Sequence, residues 1–217
     1  MRLVDTHCHL HREEFDVDRD QIVSRAREEG VEILLDPATT LASNRTVADL
    51  TRRFPEVYGA AGIHPHHADE VTPAVIEELE RIASDPRMVA IGEIGLDYYR
   101  NLCPAQIQRE ALRQLLALSR RLDRPVILHC REAYADLFPI LREVLPVPME
   151  KVVLETDAPF LAPQQRRGQR NEPAFLHELV QTWARLRGMT EEEVARRTTE
   201  NARRLFGFPA DGAGDSL

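Results

Sequence analysis

Six short apolar runs recur along the chain at intervals of about thirty residues, the length of one strand–helix unit. They are RLVDTH at 2–7, VEILLDPA at 31–38, VYGAAGIHP at 57–65, MVAIGEIG at 88–95, PVILHC at 125–130 and KVVLETD at 151–157. A polar side chain marks the end of each: His7, Asp36, His64, Glu93, His129 and Asp157. Runs this short and this continuously apolar predict parallel strands buried on both faces. Between them lie amphipathic stretches with helix punctuation. Thr72-Pro73 reads as an N-cap followed by N1, Pro104 suits N1 of the helix beginning AQIQREAL, and Gly30 stands where a C′ glycine belongs. Strand alternating with helix predicts an α/β fold with a parallel sheet, wound open or closed into a barrel. In either form, chemistry gathers at the carboxyl ends of the strands.

After Asp157 the repeat stops. A polar loop leads to a helix over about 172–187 and a second helix opened by Thr190 and TEEE, a capping-box pattern with Glu193 at N3. A length of 217 residues suits a single domain, with 209–217 as a frayed tail. The formal charge of −8 excludes a generally basic surface, so a polyanionic substrate has to be met by local groups. Cys8, Cys103 and Cys130 form no Cys-x-x-Cys pair, which predicts reduced thiols and a cytoplasmic protein. No stretch approaches the ~20 apolar residues of a membrane span, and the first ten residues lack the apolar run of a signal peptide.

His7 and His9, two apart at a strand end, project their imidazoles from one face. Alone, such a pair is a weak sign of metal binding. Glu93, His129 and Asp157 have ordinary readings too, as a cap, a core histidine and a turn residue. All five at corresponding strand ends make coincidence untenable. The nitrogen and carboxylate mixture suits zinc, manganese or magnesium.

Several segments in order, DTHCHL, GIHPHHA, GEIGLDYY, PVILHCRE, LETDAPFLAP, RGQRNEP and NARRLF, resemble the motifs of the TatD-type metal-dependent DNases, within the amidohydrolase-like TIM-barrel superfamily. The resemblance runs from Val4 to about Phe206. It implies hydrolysis of phosphodiester bonds at DNA ends or in single-stranded DNA, 3′ to 5′, with one or two divalent ions (magnesium, manganese or zinc). It further implies that His7, His9, Glu93 and Asp157 hold a first ion, that Glu93 bridges to a second, and that His129 ligates the second. Asp157 and Glu93 are then the catalytic carboxylates, Asp157 orienting or deprotonating the attacking water. His64 matches a histidine near the substrate phosphate. By their chemistry, Arg131 and the arginines of 166–170 are candidates to neutralise its charge, with solvated surface the ordinary reading for most of them.

One part of that family pattern is missing. Between HCRE and LETD the family has two further strands, one ending in a metal-binding histidine, whereas here only AYADLFPILREVLPVPME intervenes. The expected fold is therefore a TIM-barrel-type (β/α) fold, incomplete, with about six parallel strands instead of eight. The second ion loses one histidine, and His66 and His67 are expected to face solvent rather than replace it. Two consequences follow as expectations: reduced activity, and self-association along the strand edges left open. Two other functions fit the shortened chain, a one-metal hydrolase of a small amide or ester and a metal-binding protein without catalysis.

Overall fold

The computed structural model describes residues 2–144, 153–160, 166 and 168–209. The chain forms two compact units, Met1–Asp36 with Lys151–Leu217, and Pro37–Glu150.

In the first unit, β1 (Leu3–Asp5) runs parallel to β2 (Val31–Pro37), which continues to the first residue of the second unit, with Leu3 opposite Val31 and Asp5 opposite Leu34. The connection is α1 (Arg19–Glu28), whose Ile22, Val23 and Ala26 are buried. Gly30 follows at φ 83°, a conformation that glycine adopts without a Cβ penalty, so the predicted C′ role holds. The later helices are α6 (Leu176–Arg187), preceded by a 3-10 turn at Pro173–Phe175, and α7 (Glu191–Phe206). Thr190 caps α7 by accepting a hydrogen bond from Glu193 N, and the buried face of α7, Val194, Ala195, Ala202 and Phe206, includes residues that pack on β1.

The second unit continues the alternation with α2 (Leu41–Arg53), β3 (Val57–Ala61), α3 (Pro73–Ala83), β4 (Met88–Asp97), α4 (Ala105–Leu122), β5 (Val126–Arg131) and α5 (Tyr134–Val144). β3, β4 and β5 pair in parallel in chain order. Thr72 caps α3 with Pro73 at N1, as predicted, whereas Pro104 is the N-cap of α4 and not its first turn. The core is continuous: Ile91, Ile94 and Leu96 of β4 belong to one cluster with Leu112, Leu115, Leu116 and Leu118 of α4 and with Leu137, Ile140 and Leu141 of α5. β4 is buried along its whole length, as a central strand should be. β5 is only half-buried from Val126 to Cys130, and among the described residues β4 is its sole pairing partner.

Five of the six expected runs are strands. The sixth, 151–157, begins outside the described residues, and 153–157 is not a strand. It nonetheless follows β1, since Thr6 N donates to Leu154 O at 3.0 Å, Asp157 N donates to His7 O at 2.8 Å, and Cys8 bridges Ala158 in parallel. The LPVPME hinge at 145–150 lies outside the described residues, as does the expected tail from 210 onward. No helix among the described residues is long and apolar enough to cross a membrane.

Candidate metal centre

The backbone pairing of Cys8 with Ala158 brings the two ends of the first unit together, and with them three donor atoms. His7 Nε2 and His9 Nε2 stand 3.2 Å apart, and Asp157 Oδ1 lies 3.8 Å from the first and 3.5 Å from the second. Ligands about 2.0–2.2 Å from a tetrahedrally coordinated zinc-type ion are separated by roughly 3.3–3.6 Å. The triangle therefore has the dimensions of three corners of such a shell, and two imidazole Nε2 atoms face each other where a cation would reconcile their lone pairs.

The surrounding groups hold that arrangement. Glu155 Oε2 sits 3.2 Å from His7 Nδ1, fixing the ring so that Nε2 is the inward nitrogen. Asp5 is fully buried and accepts hydrogen bonds from His7 N, Thr156 N and Thr156 Oγ1, tying the strand that carries His7 to the segment that carries Asp157. Burial pushes the Asp5 carboxyl up to about 7, against the pull of those donors. Asp157 itself has φ 56°, a left-handed conformation that aspartate tolerates better than bulkier residues. Asn171 holds the loop beyond it, donating from Nδ2 to Thr156 O at 2.8 Å and to Phe160 O at 2.6 Å. Glu172 then pairs with Arg25 at 2.8 Å, so the RNEP motif anchors the loop.

The second unit gathers a separate set. Donor atoms of His64, Glu93 and His129 all lie within 4.8 Å of one another. His129 is held on both sides, Nδ1 to Glu93 Oε1 at 3.0 Å and Nε2 to Asp97 Oδ2 at 3.1 Å. Burial disfavours its protonated form, but the two carboxylates outweigh burial and raise its pKa. Burial also works against an ionised Asp97. The Arg100 amide and the imidazoles of His66 and His129 prevail and hold its carboxyl at about 2. His64 is neutral, since burial lowers its pKa to about 3. Its Nδ1 accepts from His66 N at 3.2 Å, which leaves Nε2 carrying the proton.

Every predicted site residue thus has a definite place. His7, His9 and Asp157 come together in the first unit, Glu93, His129 and His64 in the second. Arg131 is exposed, its guanidinium 3.9 Å from the centroid of the Tyr99 ring. The described arginines of 166–170 are ion-paired, Arg166 with Glu178 at 2.8 Å and Arg170 with Asp18 at 2.7 Å, as the ordinary reading has it. The expectation for His66 is corrected. That side chain turns inward to Asp97 Oδ2 at 2.8 Å, while His67 remains half-exposed beside Glu70. Sequence reasoning missed Asp97, Glu155 and Asn171 as parts of the sites. For Asp97 a signal existed, an acidic residue four places after Glu93 in one strand.

Residues 4–146 and 144–207 match the family model described as TatD related DNase. The two matched pieces meet at 144–146, where the missing strands were expected. The chain is 35% identical to a protein of Erwinia tasmaniensis named 3′-5′ ssDNA/RNA exonuclease TatD, over 94% of this chain and 99% of that protein. That alignment spans 257 positions, more than the 217 residues here. It is 30% identical to an uncharacterized metal-dependent hydrolase, YabD, of Bacillus subtilis, over 94% and 98% of the two chains. Among solved structures, YjjV, a TatD homologue from Escherichia coli K12, superposes with a TM-score of 0.88 at 25% identity, covering 96% of this chain and 99% of that one. The fold is accordingly of the α/β, incomplete TIM-barrel type, and the chain belongs to the TatD-related DNase family.

Proposed function

We propose that the protein is a divalent-metal-dependent hydrolase of phosphodiester bonds, a TatD-like exonuclease acting on DNA ends and single-stranded DNA. The observation that carries the reading is the triangle of His7 Nε2, His9 Nε2 and Asp157 Oδ1, with edges of 3.2 to 3.8 Å. These three residues would hold a first ion, and Glu93 and His129 a second. A divalent ion at such a site supplies Lewis acidity and lowers the pKa of a bound water. The Asp157 carboxylate, one-third exposed, would help hold the ion and is placed to accept a proton from the attacking water. His64 is the phosphate contact: neutral, with Nδ1 engaged by His66 N, it offers Nε2–H as a donor. The same tautomer makes it a poor metal ligand, so a second ion would have two protein ligands and would bind more weakly than the first. Arg131 adds a positive charge beyond His129. A reducing compartment such as the cytoplasm suits the three free cysteines.

The test combines metal analysis with turnover. Purified chain with magnesium, manganese or zinc is expected to shorten 5′-labelled single-stranded DNA from its 3′ end, with rates that rise in two phases as metal is added. Hydrolysis of small amide or carboxylic esters with DNA untouched would assign the other enzyme class. Bound metal with no turnover on any substrate would make the chain a binding protein.

We also propose self-association along β5, which is half-exposed beside β4 alone among the described residues. An open strand edge templates pairing with another chain. Sedimentation at high protein concentration is expected to show dimers, and a monomer throughout would refute the proposal.

A further inference from the structure

His11 and Asp36 make another donor set in the first unit, one that the hydrolytic reading does not use. Both side chains are buried, His11 with 4% of its side chain exposed and Asp36 with none, and His11 Nδ1 meets Asp36 Oδ1 at 2.6 Å. That contact occupies one polar atom of each residue. The remaining two, His11 Nε2 and Asp36 Oδ2, are buried and have no hydrogen-bond partner. Buried polar atoms are nearly always paired, and the orphaned His11 Nε2, on the side of the ring away from Asp36, calls for a partner of its own. With Nδ1–H donated to Asp36, each orphan presents a lone pair, and its complement is a cation or a donor. His9 stands beside them, its ring edge-on to His11 with centroids 5.5 Å apart, and one donor atom from each of His9, His11 and Asp36 lies within 4.8 Å of the others. A carboxylate accepting the far N–H of an imidazole is also the arrangement that fixes ligating histidines.

We propose that His11, through Nε2, binds a divalent transition ion of the zinc or manganese kind beside His9, with Asp36 orienting the ring through Nδ1, at a site that adjoins the His7–His9–Asp157 triangle and shares His9 with it. Imidazole nitrogen selects such ions over magnesium, which prefers oxygen donors and retains its waters. Through His9, occupation of one set is coupled to occupation of the other. The proposal stands whether or not the chain cleaves DNA, because its readout is metal content.

Zinc titration of the full, metal-free chain by calorimetry tests it, together with diffraction at the zinc edge. His11→Phe fills the same buried space without a nitrogen, and Asp36→Asn removes the charge. Each is expected to delete one class of bound zinc or weaken it at least tenfold, whereas His7→Ala weakens a different class. In the unaltered protein an anomalous peak is expected roughly 2.0–2.2 Å from His11 Nε2. Equal stoichiometry with affinities within twofold for His11→Phe and the unaltered chain would overturn the proposal, as would an ordered water with no anomalous signal beside His11. Should both variants unfold, the anomalous map of the unaltered protein decides.

Discussion

Asp157→Asn is expected to lower kcat/KM for single-stranded DNA by about 10²–10⁴, the range over which a positioned proton acceptor acts, and to weaken metal binding as well. The substitution keeps the shape of the side chain and removes its charge. An amide oxygen is a poorer donor to a divalent ion than a carboxylate oxygen and has no capacity to take a proton from water. The backbone around residue 157 is held by groups the change leaves alone: Asp157 N on His7 O at 2.8 Å, and Asn171 Nδ2 on Thr156 O and Phe160 O. Cooperative unfolding at an unchanged temperature is therefore expected alongside the lost turnover. Glu155→Gln provides the comparison. Glu155 reaches the site through His7 Nδ1, so its loss is expected to weaken metal binding by about 10–100-fold, the usual effect of removing an outer partner. With metal in excess, Glu155→Gln then recovers most of its rate and Asp157→Asn does not. Equal recovery of both would mean that Asp157 does no more than hold metal.

The strand ends were readable from the sequence because burial in a parallel sheet leaves a simple trace, an apolar run closed by one polar residue. That trace located His7, Asp36, His64, Glu93, His129 and Asp157, and each of them lies in one of the three donor clusters among the described residues. The supporting residues left no comparable trace. Glu155 precedes Asp157 by two and orients His7, a contact that depends on the pairing of Thr6 with Leu154 across 148 residues of chain. His66 looked like a loop residue because its partner, Asp97, is 31 positions away on β4. Its neighbour His67 has the same local composition and does face outward. The 166–170 arginines were ambiguous for the opposite reason: charge pattern alone cannot separate a phosphate contact from an ion pair, and only the positions of Asp18 and Glu178 resolve it. The sixth run has the composition of a strand, but where described, 153–158 meets the chain after β1 through Thr6, His7 and Cys8, too few contacts for a regular ladder.

Gly95→Ala is expected to be the most destabilising single-atom addition in the second unit, and the reason concerns backbone rather than chemistry. A Cβ at residue 95 would stand 1.9 Å from His129 O, 2.8 Å from His129 C and 3.0 Å from His129 N, all of them main-chain atoms that cannot rotate away. Gly95 also has φ 153°, which side-chain-bearing residues rarely adopt. Overpacking of this kind costs about 1–3 kcal/mol and a forced backbone conformation about as much again, so a loss of roughly 3 kcal/mol or more is expected in urea unfolding. Gly207→Ala separates the two contributions. At φ 67° with nothing within 4 Å of its Cβ, it bears the conformational cost alone, about 1–2 kcal/mol. The clash falls on the residue that carries His129, whose register partner on β4 is Gly95 itself. Forcing β5 away from β4 there separates His129 from Glu93 and Asp97, so Gly95→Ala is expected to lose second-site metal even where it remains folded. Gly92 and Gly62 repeat the theme, the first meeting Ile127 and the second the Gly92 backbone, each at less than 3 Å. The glycines of GEIGLD thus act by letting strands approach closely enough to bring carboxylates and imidazole together. If Gly95→Ala unfolds within about 1 kcal/mol of Gly207→Ala and keeps its metal, close strand approach is not what that motif provides.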